Sequence, residues 1–140
     1  MEGVFLFRIR KSEFDDFSQL GFTGEGVRVC MVDTGIDLSH PALSQIDVQF
    51  KDMIGDSSTP TDYGYVAHGT LMAGILVADQ HQLGIAQGIS LAVVAALGAD
   101  EDNLNSGSED TVAASIRWCQ DEYQADIISL SLGGEQNVDM

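Results

Sequence analysis

Short apolar runs alternate with segments of helical periodicity along this 140-residue chain. Four runs have the length and β-branched content of strands, and two of the segments between them are long enough for helices. The predicted strands cover residues 27–32, 46–50, 91–97 and 127–132, the predicted helices 68–77 and 109–123, and the polar loops 55–64 and 100–107. Because strands separated by helices need crossover connections, the pattern predicts an α/β fold with an open parallel sheet and flanking helices.

The first predicted helix contains small residues where larger ones are usual. Gly69, Ala73 and Gly74 closely follow His68. A glycine inside a helix costs about 1 kcal/mol relative to alanine, so both glycines need a packing or functional reason. We therefore expect this helix to approach a neighbouring backbone closely.

The second predicted helix has clear start signals and one apolar face. Ser108 is suited to cap it, and Glu109 and Asp110 in its first turn match the helix dipole. Its apolar stripe consists of Val112, Ile116, Cys119 and Tyr123. We expect Cys119 on this stripe and Cys30 in the first strand to be buried free thiols, with a disulfide as the alternative.

Composition and charge restrict the function classes. Hydrophobic residues make up 44% of the chain, enough for a packed core, and no apolar run reaches the roughly 20 residues that span a bilayer. The formal charge of −16, from 22 acidic and 6 basic residues, repels phosphate backbones, so we expect no nucleic-acid partner. The first residues lack the apolar block and cleavage site of a signal peptide. This predicts a cytoplasmic protein, with secretion after processing as the alternative.

Two side chains are candidates for a functional site at the carboxyl edge of the predicted sheet. Asp33 directly follows the first predicted strand, and functional groups gather at the carboxyl ends of such strands. Taken alone, it can be a strand-end cap, a metal or phosphate ligand, or a catalytic group. His68 begins a predicted helix, and taken alone it can also be an ordinary surface or core histidine. His40 and His81 lie in loop-like sequence without a partner motif, and we treat both as non-catalytic.

Four segments in order resemble the subtilase family of serine proteases. Residues 21–37, which contain Val-Asp-Thr-Gly-Ile-Asp, resemble the segment of the family's catalytic aspartate. The sequence His-Gly-Thr-Leu-Met-Ala-Gly at 68–74 resembles the segment of its catalytic histidine. Residues 84–91 look like the segment that leads to the next strand, and residues 128–134 resemble the substrate-binding strand.

This resemblance implies a serine endopeptidase and assigns roles to particular residues. Asp33 would orient His68 and stabilise its imidazolium, and His68 would act as the base for a serine nucleophile. The order Asp, then His, matches the first two members of the family's triad. The peptide or protein substrate would bind by strand addition. The residues implied for that binding are Ser131, Leu132 and Gly133, with Gly107 on the opposite wall.

The resemblance also implies that the chain is part of a larger catalytic domain. Residues 21–134 match the family motifs and residues 1–20 form an N-terminal extension or helix, so 1–140 is expected to be the N-terminal portion of the domain, with an incomplete sheet. The family's oxyanion asparagine and its Gly-Thr-Ser nucleophile segment have no counterpart here. We therefore expect a C-terminal fragment or a second chain to supply the serine, and we expect the chain alone to be inactive. The alternative is a pseudoprotease or peptide-binding module.

The resemblance implies no cofactor for the reaction, and calcium has only weak support. Ala42 stands where many relatives have an acidic calcium ligand. The loop 79–83 keeps some oxygen donors, but calcium takes six or more. We therefore predict no metal site.

Two other protein classes share a fragment of the pattern. Asp-Thr-Gly at 33–35 is also the signature of aspartic proteases, but those are all-β proteins and the predicted helices argue against that class. Gly24-Glu25-Gly26 precedes its strand instead of following it, which argues against a dinucleotide-binding loop.

Overall fold

The structure, a computed structural model, describes residues 19–79 and 84–134. Its strands are β1 (Arg28–Asp33), β2 (Val48–Asp52), β3 (Ser90–Ala95), β4 (Gly98–Ala99), β5 (Asn105–Ser106) and β6 (Ile127–Leu130), and its helices are α1 (His68–Val77) and α2 (Glu109–Asp121). Four strands form a sheet in the order β2-β3-β1-β6, in which every neighbouring pair is parallel. This confirms the predicted α/β fold.

The two helices cover opposite faces of the sheet. Successive residues of a strand point to opposite faces, and β1 shows this directly. Met31 packs in a core cluster with Ala73 and Val77 of α1, whereas Val32 packs in a second cluster with Cys119 of α2. Because both faces are buried, the central strands β1 and β3 are nearly continuous apolar runs.

The structure corrects the prediction of two free thiols. Cys30 and Cys119 form a disulfide, with their Cα atoms 5.8 Å apart and both residues fully buried. The bond joins the central strand β1 to α2 across a sequence separation of 89. Each cysteine has the apolar surroundings that the sequence indicates. Those surroundings do not reveal that the two side chains meet in the same core.

The polar segment after β3 is more ordered than the predicted loop. β4 and β5 pair antiparallel, with Gly98 opposite Ser106. Asp100 closes this hairpin, because its carboxylate accepts the backbone N–H groups of Asp102 and Leu104. The hydrogen bond from Leu104 is the main reason that the pKa of Asp100 lies below its ordinary value.

Some predictions shift or fall outside the described residues. The second strand begins at Val48 and not at Ile46, because the N–H of Ile46 bonds to the carbonyl of Leu43 in a turn. Nearly all of the predicted extension 1–20 lies outside the described residues. None of the helices in the described part of the chain is long and apolar enough to cross a membrane.

Candidate active site

The structure brings Asp33 and His68 into hydrogen-bonding contact at the carboxyl edge of the sheet. Asp33 ends β1 and is fully buried, whereas His68 begins α1 with 31% of its side chain exposed. Nδ1 of His68 lies 2.8 Å from Oδ1 of Asp33, and the same oxygen accepts the N–H of Thr34 at 2.7 Å. Because a carboxylate accepts hydrogen bonds, this contact places the ring proton on Nδ1 and leaves Nε2 for proton transfer.

Two glycines allow α1 to begin directly against the turn that follows β1. A Cβ on Gly69 would lie 2.0 Å from the carbonyl oxygen of Gly35, and a Cβ on Gly35 would lie 1.9 Å from that of Thr61. Gly35 also has a φ of 113°, which side chains disfavour. The expectation that Gly69 serves close backbone packing is therefore confirmed. Among the described residues, no atom lies within 4 Å of a Cβ on Gly74, so packing in that part of the chain does not explain this glycine.

Side chains from outside the helix and its N-cap residue cap the start of α1. Its N-cap residue, Ala67, has a left-handed backbone and makes no side-chain capping bond. Oγ1 of Thr34 accepts the N–H of Gly69 at 2.9 Å, and Oδ2 of Asp62 accepts the N–H of Thr70 at 2.9 Å. These two acceptors satisfy donors that a helix N-terminus leaves open, and the carboxylate also complements the helix dipole.

A second aspartate organises the predicted loop between β2 and α1. Asp52 accepts the N–H groups of Ile54, Gly55 and Ser57 at 2.8–3.0 Å and the hydroxyl of Tyr63 at 2.6 Å. Burial raises the pKa of the Asp52 carboxyl, but these hydrogen bonds outweigh burial and hold the pKa below its ordinary value. The same hydroxyl contact raises the pKa of Tyr63. The loop is thus held by a carboxylate that is ionised at neutral pH.

A cleft of about 600 Å³ lies beside the Asp–His pair. It is lined by β5, the first half of α2 and the segment that follows β6. The lining residues are His68, Leu97, Asn105, Ser106, Gly107, Glu109, Val112, Ala113, Ile116, Ser131, Leu132, Gly133 and Gly134. The structure therefore brings all four predicted substrate-binding residues to one cleft, together with the histidine.

The two predicted walls of the cleft differ in how tightly they are packed. A Cβ on Gly107 would lie 2.5 Å from the carbonyl oxygen of Ala96, so glycine permits close backbone contact there. A Cβ on Gly133 would meet no atom of residues 19–79 or 84–134 within 4 Å, and this residue is exposed. The wall at Gly133 is therefore open.

Sequence reasoning missed several residues of this site. Asp62 was placed in a polar loop without a role, and Glu109 was interpreted only through the helix dipole. Leu97 was expected simply to be part of a buried strand. The contacts of these residues depend on which segments meet in three dimensions. No local pattern in the sequence indicates that Asp62 caps a helix beginning six residues later.

Two other features of the sequence remain, the histidine at position 40 and the loop 79–83. His40 takes part in a turn, where its Nδ1 accepts the N–H of Ala42 at 3.2 Å. His81 and most of the loop 79–83 lie outside the described residues. Within 19–79 and 84–134, no group of three or more His, Cys, Asp or Glu side chains is placed to hold a metal ion.

A buried carboxylate bonded to Nδ1 of a histidine at a sheet edge is typical of enzymes with an Asp-His-Ser triad. Sequence comparison with known protein families identifies which of these enzyme families the chain resembles. Residues 24–139 match the model of the subtilase family. The chain belongs to the subtilase family.

The alignments with individual relatives cover most of this chain but less than half of each relative. The chain is 33% identical over 123 residues to the major intracellular serine protease of Bacillus subtilis, 38% over 112 residues to thermitase of Thermoactinomyces vulgaris, and 34% over 117 residues to subtilisin E of Bacillus subtilis. These matches cover 84%, 79% and 81% of this chain. They cover 37%, 39% and 29% of the relatives' own lengths, so the chain spans well under half of each.

Proposed function

We propose that this chain is the Asp- and His-bearing part of a subtilisin-like serine endopeptidase that hydrolyses peptide bonds. The observation that carries the proposal is the 2.8 Å contact between Nδ1 of His68 and Oδ1 of the buried Asp33, beside an open cleft. Membership of the subtilase family supports the same reaction class.

In the proposed reaction, His68 moves a proton between serine and the leaving amine. Nε2 takes the proton of the serine hydroxyl as the serine oxygen attacks the carbonyl carbon of the scissile bond. The imidazolium then gives that proton to the amine as the C–N bond breaks. Water then attacks the acyl-serine ester while His68 takes its proton, and His68 returns that proton to the serine oxygen as the acyl group leaves as a carboxylic acid. Throughout, Asp33 holds the ring and stabilises its positive charge.

We propose that a C-terminal fragment or a second chain supplies the serine and the oxyanion asparagine. The exposed edge of the described sheet supports this proposal. β6 is an outer strand, and two of its large apolar side chains are substantially exposed, Ile127 at 53% and Leu130 at 44%. An apolar strand at a sheet edge is a surface that further structure usually covers.

The substrate proposal concerns the backbone of the segment after β6. We propose that Ser131, Leu132 and Gly133 pair with an extended peptide, and that Gly107 holds the peptide from the other side. Titration of isotope-labelled 1–140 with an acetylated, amidated oligoalanine should shift the amide signals of these residues. Shifts confined to other surfaces would contradict the proposed binding mode.

Nitrogen NMR of the two described histidines tests the proposed pair. At neutral pH, His68 should carry its proton on Nδ1, because that nitrogen faces Asp33. His40 is an internal control, because its Nδ1 accepts a backbone N–H and its own proton must therefore lie on Nε2. In Asp33→Asn, the amide can donate to Nδ1, so His68 should change tautomer. If wild-type His68 carries its proton on Nε2, the proposed pair does not exist.

A serine-directed fluorophosphonate tests where the nucleophile lies. Purified 1–140 should remain unlabelled and should not hydrolyse peptides, whereas a copurifying partner with a Gly-Thr-Ser segment should be labelled. Labelling at a serine within 1–140 would contradict the proposal. An intact natural assembly without any labelled serine would favour the pseudoprotease or peptide-binding alternative.

We propose a cytoplasmic location, and the disulfide provides its test. One relative is named as an intracellular protease. Disulfides, however, persist mainly in oxidising compartments. Because both cysteines are fully buried, the cells are lysed directly into denaturant that contains iodoacetamide, and Cys30 and Cys119 should then be found reduced in a cytoplasmic protein. A fully oxidised pair in freshly lysed cells would instead indicate an oxidising compartment.

A further inference from the structure

A single carboxylate connects the two chain segments that carry Asp33 and His68. Oδ1 of Asp62 accepts the hydroxyl of Thr34 at 2.7 Å, and Oδ2 accepts both the N–H and the hydroxyl of Thr70. Thr34 directly follows Asp33, and Thr70 lies two residues after His68. Asp62 therefore bonds to the immediate neighbourhood of both members of the pair.

The carboxylate also determines the direction of the other hydrogen bonds in this network. Because it can only accept, the Thr34 hydroxyl must donate its proton to Asp62. The oxygen of Thr34 is then left to accept the N–H of Gly69, which it does at 2.9 Å. In the same way, the hydroxyl of Thr70 donates to Asp62 and accepts the N–H of Asp37 at 2.9 Å. An amide at this position would present a donor where the network needs an acceptor.

We propose that Asp62 is a positioning residue that fixes the start of α1 against the end of β1 and so sets the hydrogen bond between Asp33 and His68. Among the described residues, Asp62 makes no hydrogen bond to Asp33 or His68 and does not line the cleft, and it acts through Thr34 and Thr70. This inference rests on the proposed function, because it concerns the hydrogen bonds that position the residues next to Asp33 and His68.

The test measures His68 in Asp62→Asn, using the 1–140 chain. The exchange rate of the Nδ1 proton should rise about 10-fold or more, as expected for losing one or two charge-assisted hydrogen bonds. The Nε2 tautomer should also become populated. His40 should keep its tautomer in the same sample. Asp62→Glu, which retains the carboxylate, should recover part of the wild-type signal.

Asp52→Asn is the matched structural control. Asp62 accepts a fourth hydrogen bond from the N–H of Gly64 at 2.9 Å, and Asp52 likewise accepts four. The described donors to Asp52 all belong to residues 54–63, so Asp52 bonds to neither Thr34 nor Thr70, through which Asp62 acts. We expect Asp52→Asn to lower stability without changing the His68 signal. If both variants change His68 equally, the effect is general loosening of the loop, and a positioning role for Asp62 is refuted.

The remaining outcomes also decide the proposal. If wild-type His68 shows the Nδ1 proton and folded Asp62→Asn retains it unchanged, the inference fails while the proposed function stands. If wild type lacks that proton, the proposed function fails first. Should Asp62→Asn not fold, Thr70→Val deletes one hydroxyl donor while keeping the carboxylate. It should increase the exchange rate by a few-fold, and an unchanged rate would contradict the proposal.

Discussion

Replacing Gly69 with alanine should separate α1 from the turn after β1. The added Cβ would lie 2.0 Å from the carbonyl oxygen of Gly35, about 1 Å closer than real Cβ contacts allow. That oxygen belongs to backbone held on its other side by Thr61, so the helix itself must shift. Overpacking of this kind costs about 1–3 kcal/mol. We expect urea unfolding of Gly69→Ala to show that loss in the free energy of unfolding, accompanied by weaker protection of the His68 Nδ1 proton.

Gly74→Ala is the control in the same helix. A Cβ there meets no atom within 4 Å in the part of the chain that the structure describes, so the substitution should only remove the helix penalty of glycine and stabilise the chain by about 1 kcal/mol. The two alanine variants should therefore differ by about 2–4 kcal/mol in opposite directions from wild type. Equal stabilities for the two variants would refute the close approach of Gly69 to Gly35.

Three further changes test other parts of the fold. Reducing the disulfide between Cys30 and Cys119 should lower the free energy of unfolding by about 4–5 kcal/mol, since the bond closes a loop of 89 residues, and urea unfolding with and without reductant measures this. Because the folded state lowers the pKa of Asp52, this group stabilises the fold fully above its unfolded pKa of about 4, and the stabilisation is lost as the pH falls through the folded pKa. The melting temperature below pH ~4 should therefore fall less steeply in Asp52→Asn than in wild type. Ser108→Ala should cost about 1 kcal/mol in the same urea assay, because the Ser108 hydroxyl caps Thr111 at 3.1 Å, whereas Ser108→Gly should cost only a few tenths.

The sequence was sufficient for the main elements of the fold. α1 begins at His68 and ends at Val77 as predicted, and α2 begins after Ser108 as predicted. Nearly continuous apolar runs identified the central strands, because burial on both faces leaves polar residues only at the strand ends, at Arg28, Asp33 and Ser90. Asp33 and His68 could be singled out because a strand end and a helix start are local features of the chain.

The tertiary structure alone decided how these pieces support one another. The helix at His68 starts without a local cap because Thr34 and Asp62 reach it from other segments. Cys30 and Cys119 meet only because α2 covers one face of β1. Local periodicity reports which face of an element is buried, but not which other element lies against that face. Contacts between distant segments therefore appear only when the sheet order and the packing of both helices are known.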